Sequence, residues 1–102
     1  MHIRSVLLFV AFFFSFSASA ESTITINLSG KYLMTGDTRV IEIFDLNCNR
    51  NLGQFSLSAN QIIPIAICQS SAGYGKIKRR NVTNNDHWIE SALLSNGDEV
   101  TP

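Results

Sequence analysis

The sequence CNRNLGQFSLSANQIIPIAIC, residues 48–68, holds both cysteines of this 102-residue chain. It contains an Asn-rich turn, a short alternating stretch over Gln54–Leu57, a second turn and an apolar stretch over Ile62–Cys68. A disulfide that closes a loop of this length removes roughly 3 kcal/mol of unfolded-chain entropy, a large share of the stability of a small domain. We therefore predict a structural disulfide between Cys48 and Cys68.

The cysteine pattern favours this structural role over a metal or redox site. Redox-active pairs and many zinc sites use a C-x-x-C spacing, and this sequence has none. One of the two histidines, His2, lies in an N-terminal stretch that we expect to be removed. We predict no metal ligands and no cofactor.

The first twenty residues have the form of a secretory signal peptide. A short positive region with His2 and Arg4 precedes an apolar run, and the small residues Ala18-Ser19-Ala20 close it. The apolar run is short for a membrane-spanning helix, which needs roughly 20 apolar residues, so an uncleaved anchor is the less favoured alternative. We predict cleavage before Glu21 and export to the periplasm or the extracellular space, with no transmembrane segment after cleavage.

Residues 21–102 are predicted to form a single small domain built mostly from β-strands. Thr23–Leu28 alternates apolar and polar residues, as a half-buried strand does. Further strands are expected over Lys31–Met34, Arg39–Phe44, Gln54–Leu57, Ile62–Cys68 and Lys76–Val82. Short strands separated by turn residues are typical of an antiparallel sandwich or barrel.

Three stretches carry more specific expectations. Apolar residues on both faces of Arg39–Phe44 indicate a strand that is covered on both sides or bulged. Pro64 has no N–H group to donate, which places Ile62–Cys68 at a sheet edge or requires a bulge there. His87–Leu94 fits a strand or a short C-terminal helix, and the β-rich context favours the strand.

A basic cluster is the first candidate for a binding site. On a strand, Lys76, Lys78 and Arg80 share one face, with Tyr74 beside them, and could receive an anionic ligand. The simpler interpretation, which we favour, is an edge strand protected from aggregation by positive charge. The formal net charge of zero does not indicate bulk nucleic acid as a partner.

The lone tryptophan is the second candidate. Trp88 could form a stacking platform with Tyr74 and His87, where an aromatic face meets a sugar. A single tryptophan in a small domain more commonly belongs to the core, because burial of its large side chain is favourable. We favour the core position but keep Trp88 among the binding candidates.

These observations predict an exported binding module rather than an enzyme. Its partner would be a protein or an anionic envelope component or glycan, and an apolar edge at Ile62–Ile67 could pair with another copy in an oligomer. The residues predicted to bind are Tyr74, Lys76, Lys78, Arg80 and Trp88.

The alternative is a small hydrolase of the nuclease-like kind. It would use His87, the only histidine after residue 20, together with a carboxylate and Arg79 or Arg80. No spacing among the carboxylates marks a glycosidase pair, and no Gly-x-Ser-x-Gly motif is present. The sequence therefore favours the binding module.

Overall fold

The computed structural model describes residues 22–102, so the predicted signal peptide over residues 1–20 lies outside the described residues. Within that range no helix is long and apolar enough to cross a membrane. The described chain consists of strands and turns. The strands are β1 (Thr23–Ser29), β2 (Thr38–Asp45), β3 (Arg50–Ser58), β4 (Ile62–Cys68), β5 (Gly75–Asn81), β6 (Ile89–Leu94) and β7 (Glu99–Val100).

The strands form two sheets, which confirms the predicted sandwich. One sheet has three strands in the order β4-β1-β7, and the other has four in the order β3-β2-β5-β6. All pairs are antiparallel except β1 with β7, where Asn27 and Leu28 pair in parallel with Glu99 and Val100. The ambiguous stretch before residue 94 is the strand β6, as favoured, and not a helix.

The core lies between the two sheets and follows the period of two in the sequence. Strand β1 contributes Ile24, Ile26 and Leu28, whose side chains are buried, while Thr23 and Thr25 are exposed. Side chains from the other strands complete it: Ile41, Ile43, Leu57, Ile65, Ile67, Ile77, Leu94 and Val100. Burial of this one apolar cluster fixes which face of each strand points to solvent.

The expectations for β2 and β4 are confirmed. The pairing of β2 with β3 shifts register between Ile43 and Phe44, as a bulge does. Strand β4 is an edge strand, paired only with β1, and Pro64 lies opposite Asn27 in a regular ladder. An edge position accommodates proline because the strand needs backbone partners on one side only.

The predicted strand over Lys31–Met34 is wrong, because these residues form turns. The Leu33 N–H donates to the Gly30 carbonyl (3.0 Å), and the Asp37 N–H donates to the Met34 carbonyl (2.9 Å). These local bonds use backbone groups that a sheet ladder would need. Tyr32 and Met34 accordingly lie at exposed positions of this turn region and not on a strand.

The disulfide predicted between Cys48 and Cys68 is present and connects the two sheets. Cys48 lies in the β2–β3 turn and Cys68 ends β4, with 5.9 Å between their Cα atoms. The fully buried carboxylate of Asp45 lies beside this bridge and accepts hydrogen bonds from the backbone N–H groups of Cys68 (2.8 Å) and Cys48 (3.4 Å). The staple and the carboxylate together fix the turn after β2 against the end of β4.

Candidate functional site

The outer face of β5 carries the basic cluster. Lys76, Lys78 and Arg80 point away from the core, while Ile77 is fully buried and Arg79 points inward. This division matches the one predicted from the alternation of the sequence. Strand β5 lies between β2 and β6, so the interpretation of this cluster as a guarded edge strand is wrong.

Trp88 lies on this outer face and not in the core, so the favoured core position is wrong. Its ring centre is 4.9 Å from the Lys78 ammonium and 4.9 Å from the Arg80 guanidinium carbon, and 36% of the residue is exposed. The pairing of Arg79 with Ile89, the first residue of β6, explains this position, because it brings Trp88, which directly precedes β6, alongside Arg80. Both cations interact favourably with the electron-rich face of the indole.

Strand β2 supplies the other half of this surface. Glu42 pairs across the sheet with Arg80 and Phe44 with Lys78. The Arg80 Nε donates to Glu42 Oε1 (2.8 Å), and the Lys78 ammonium lies 5.0 Å from the Phe44 ring centre. We call Glu42, Phe44, Lys78, Arg80 and Trp88 the Trp88 face.

Asn51 of β3 supports the Trp88 face by binding its carboxylate. Its side-chain amide donates to Glu42 Oε2 (2.9 Å). This hydrogen bond and the one from Arg80 hold the pKa of the Glu42 carboxyl below its ordinary value. Sequence reasoning missed Glu42, Phe44 and Asn51. The alternation of β2 places Glu42 and Phe44 opposite the buried Ile41 and Ile43, but only the cross-strand register reveals that they lie beside Arg80 and Lys78.

The charges on the outer face of β5 are mostly compensated. Arg80 pairs with Glu42, and the Lys76 ammonium lies 3.5 Å from a Glu90 oxygen. Within residues 22–102, Lys78 forms no ion pair and has the two aromatic rings as its neighbours. The surface therefore presents one ammonium group that forms no ion pair, placed between two aromatic side chains and opposite Glu90 in the ladder.

The predicted platform of Tyr74, His87 and Trp88 is not assembled. Tyr74 lies just before β5 and lines a pocket with Lys76, whereas Trp88 lies over Lys78 and Arg80 further along the strand. The side chain of His87 is exposed and forms no hydrogen bond or ion pair with any described residue. No carboxylate of the described chain orients His87 for acid–base chemistry.

The Arg79 side chain forms hydrogen bonds within the fold and does not belong to a surface site. Its Nε donates to the Thr101 carbonyl (2.8 Å) and its Nη1 to the Ser91 hydroxyl (2.7 Å). Partial burial lowers the pKa of the guanidinium from its ordinary value, but arginine remains charged. The side chain thus ties the C-terminal residues to the inner face of the four-stranded sheet.

One cluster has the composition of a metal site. The ligand atoms of Asp45, Cys48 and Cys68 all lie within 4.8 Å of one another. Its two sulfur atoms are joined in the disulfide, and metal ions bind thiolates rather than disulfides. The arrangement is therefore best explained as a buried carboxylate that binds the backbone around a structural bridge.

Comparison with protein-family models gave no match, and comparison with curated proteins and with solved structures gave no significant match. The geometry of the described surfaces is thus the basis for a functional hypothesis.

Proposed function

We propose that this chain is an exported protein-binding module that recognises its partner through the Trp88 face. The observation that carries the proposal is the position of Trp88, which is held partly exposed over two cations instead of in the core. Tryptophan and arginine are the residues most enriched among those that dominate protein interfaces. A surface with both side chains already positioned loses little conformational entropy when a partner binds.

The charge balance favours a protein over a polyanion as the partner. A nucleic acid or a sulfated glycan is bound by several uncompensated cations, but Glu42 and Glu90 already pair with Arg80 and Lys76. A single free ammonium between two rings complements one carboxylate surrounded by apolar atoms. Protein surfaces commonly present that combination.

Export is supported by two independent features. The N-terminal sequence has the form of a signal peptide, and the Cys48–Cys68 disulfide is compatible with an oxidising compartment. The disulfide also rigidifies the sandwich that carries the Trp88 face. This rigidity suits a binding protein, because a preformed surface binds at a lower entropic cost.

The test is affinity capture from an envelope extract with a protein spanning residues 21–102. Trp88→Ala and Lys78→Glu variants should each lose the partner. An Arg50→Glu variant should retain it, because Arg50 is an exposed cation on β3 with no ion pair in the described chain. Circular dichroism would check that all variants are folded.

The salt dependence provides a second criterion. One interfacial ion pair should make capture only weakly dependent on ionic strength, whereas binding to a polyanion should fall steeply as salt is added. Equal capture of a partner by the parent and the Trp88→Ala variant would refute the Trp88 face as the binding surface.

A further inference from the structure

A pocket lies at the start of β5, two residues along the strand from Lys78. Its volume is about 270 Å³, just below the usual range for pockets that bind drug-sized ligands. The pocket lies where the loop before β5 meets the bulged part of β6. It is lined by Asn47, Ser70, Ala72, Tyr74, Gly75, Lys76, Ala92 and Leu93.

Leu93 has an unusual conformation at the rim of this pocket. Its φ is +56°, in the left-handed region that non-glycine residues rarely adopt, and 71% of the residue is exposed. The register explains the geometry: Gly75 pairs with Leu94 and Ile77 with Ser91, so Ala92 and Leu93 together face Lys76. Such bulges redirect side chains and are common beside functional sites.

The bulge leaves a large aliphatic side chain in solvent at the cost of a strained backbone. Glycine or asparagine would adopt the positive φ of Leu93 with less strain, and a polar side chain would be better suited to its exposed position. Tyr74, 43% exposed, lies across the same pocket. The two side chains thus form an apolar rim that the fold itself does not require.

The charges near the pocket indicate what kind of segment fits it. Lys76 is the one charged residue of the lining, and Lys78 follows two residues later on the same outer face. Outward side chains two residues apart on a strand are separated by about 7 Å, which is also the spacing of alternate side chains in an extended peptide. The spacing between the pocket at Lys76 and the ammonium of Lys78 therefore matches that of alternate side chains in a peptide that lies extended along β5.

We propose that this pocket binds the apolar side chain of an extended segment of the partner protein, whose acidic side chain two residues away reaches Lys78. This inference rests on the proposed function and adds the chemistry of the recognised segment: apolar, any residue, acidic.

The test uses capped synthetic peptides and amide chemical-shift mapping of the labelled protein spanning residues 21–102. A peptide with leucine and glutamate two positions apart should shift the amides of Tyr74–Lys78 and of Leu93. Placing the two residues next to each other, or replacing glutamate by lysine, should weaken binding at least tenfold. A Lys78→Glu variant should prefer the lysine peptide.

Two variants separate binding from folding. Ala72→Trp should fill the pocket and weaken binding at least tenfold. Leu93→Gly should weaken binding by a similar factor while leaving the thermal midpoint unchanged or raised, because glycine suits the positive φ. A large fall in the midpoint of Leu93→Gly would show that Leu93 serves the fold, which would overturn the inference.

The remaining outcomes are also decisive. Shifts confined to Lys78 and Trp88 would overturn the pocket inference and leave the proposed function intact. Absence of shifts at millimolar peptide would overturn it as well, while capture by the Trp88 face would still be judged by the Trp88→Ala variant. Pocket shifts that depend on protein concentration without peptide would identify a second copy of the chain as the occupant instead.

Discussion

Asp45 shows how one residue can fix a local structure. Among residues 22–102 it is the one carboxylate that is fully buried, and each of its oxygens accepts a backbone N–H from one end of the disulfide. A buried donor left without its acceptor costs about 1–3 kcal/mol. The carboxylate thus contributes to stability through the two donors that it satisfies.

We expect Asp45→Ala to lower the free energy of unfolding by about 2–4 kcal/mol, since it leaves two donors unsatisfied and removes a buried side chain. Asp45→Asn should lose less, because its amide oxygen can still accept from the Cys68 N–H. Urea unfolding of the oxidised proteins measures both values. Equal losses in the two variants would contradict the role assigned to the hydrogen bonds.

Glu42 gives a prediction for the dependence of stability on pH. Its pKa in the folded chain lies below the ordinary value of 4.5, chiefly because of the hydrogen bonds from Asn51 and Arg80. The unfolded chain therefore takes up this proton at a higher pH than the folded chain does. The contribution of Glu42 is fully present above about pH 4.5 and is lost as the pH falls through the lower folded pKa.

In Glu42→Gln this acid-labile contribution is absent, so we expect the thermal midpoint to fall less between pH 5 and pH 3 than in the parent. Asp86→Asn is the matched control, because the exposed Asp86 side chain forms no hydrogen bond or ion pair in the described chain. Its pH profile should follow that of the parent. Parallel profiles for the parent and Glu42→Gln would contradict the prediction.

The role of a residue was predictable where it depends on alternation alone. The split of Lys76, Lys78 and Arg80 from Ile77 follows from the period of two in β5. The position of Trp88 was not predictable, because it depends on the register between β5 and β6, which brings the residue before Ile89 beside Arg80. The hydrophobicity of Trp88 favoured a core position in the prediction. In the structure its ring instead contacts two cations on the outer face, which is a favourable interaction.

At the scale of elements, sequence reasoning found most strands, but it placed one where turns lie, began β3 at Gln54 instead of Arg50, and missed the two-residue β7. The alternating β1 and the apolar β4 were evident, since both bury one face against the core. The turns over Lys31–Met34 escaped prediction because a short strand and a pair of turns look alike in composition. In the structure the Gly30 carbonyl accepts hydrogen bonds from the N–H groups of Leu33 and Asn60, and these bonds stabilise the turn instead of a strand.

Gly30 provides a prediction for this junction. A Cβ atom at this position would lie 2.1 Å from the Ser58 carbonyl oxygen. Because that oxygen belongs to the backbone at the end of β3, it cannot move aside as a flexible side chain could. We expect Gly30→Ala to destabilise the fold by about 2 kcal/mol or more through this overlap. Chemical denaturation measures the loss.

The matched control is Gly36→Ala. Gly36 has a φ of +89° but no atom within 4 Å of a built Cβ, so its substitution carries a backbone penalty without a clash. That penalty is about 1 kcal/mol. A smaller loss for Gly30→Ala than for Gly36→Ala would show that β1 and β3 do not approach each other this closely.

At the scale of the whole molecule, the fold class was predictable and the arrangement of the strands was not. Short alternating strands and one cysteine pair indicate a small stapled sandwich. The order β3-β2-β5-β6 depends on long-range pairing, and that order moves β5 from a presumed edge to the interior of a sheet. The cluster of β2 and β5 side chains that forms the Trp88 face follows from this arrangement and could not be derived from local pattern.

The disulfide ties this arrangement together, because it links the β2–β3 turn of one sheet to the end of β4 in the other. We expect Cys48→Ser to lower the free energy of unfolding by roughly 3 kcal/mol, as estimated for a loop of 20 residues. The parent protein under reductant should show a similar fall in its unfolding midpoint. Thermal and urea unfolding with and without reductant measure both effects.

Partner capture by the Cys48→Ser variant tests whether the disulfide also affects binding. The Trp88 face belongs to the four-stranded sheet: cross-strand pairs between β2 and β5 hold four of its residues, and Trp88 directly precedes β6. Cys48→Ser should therefore retain affinity at temperatures well below its lowered midpoint. Loss of binding by a Cys48→Ser protein that is still folded would show that the inter-sheet link also shapes the binding surface, whereas an unchanged midpoint would contradict its role as a staple.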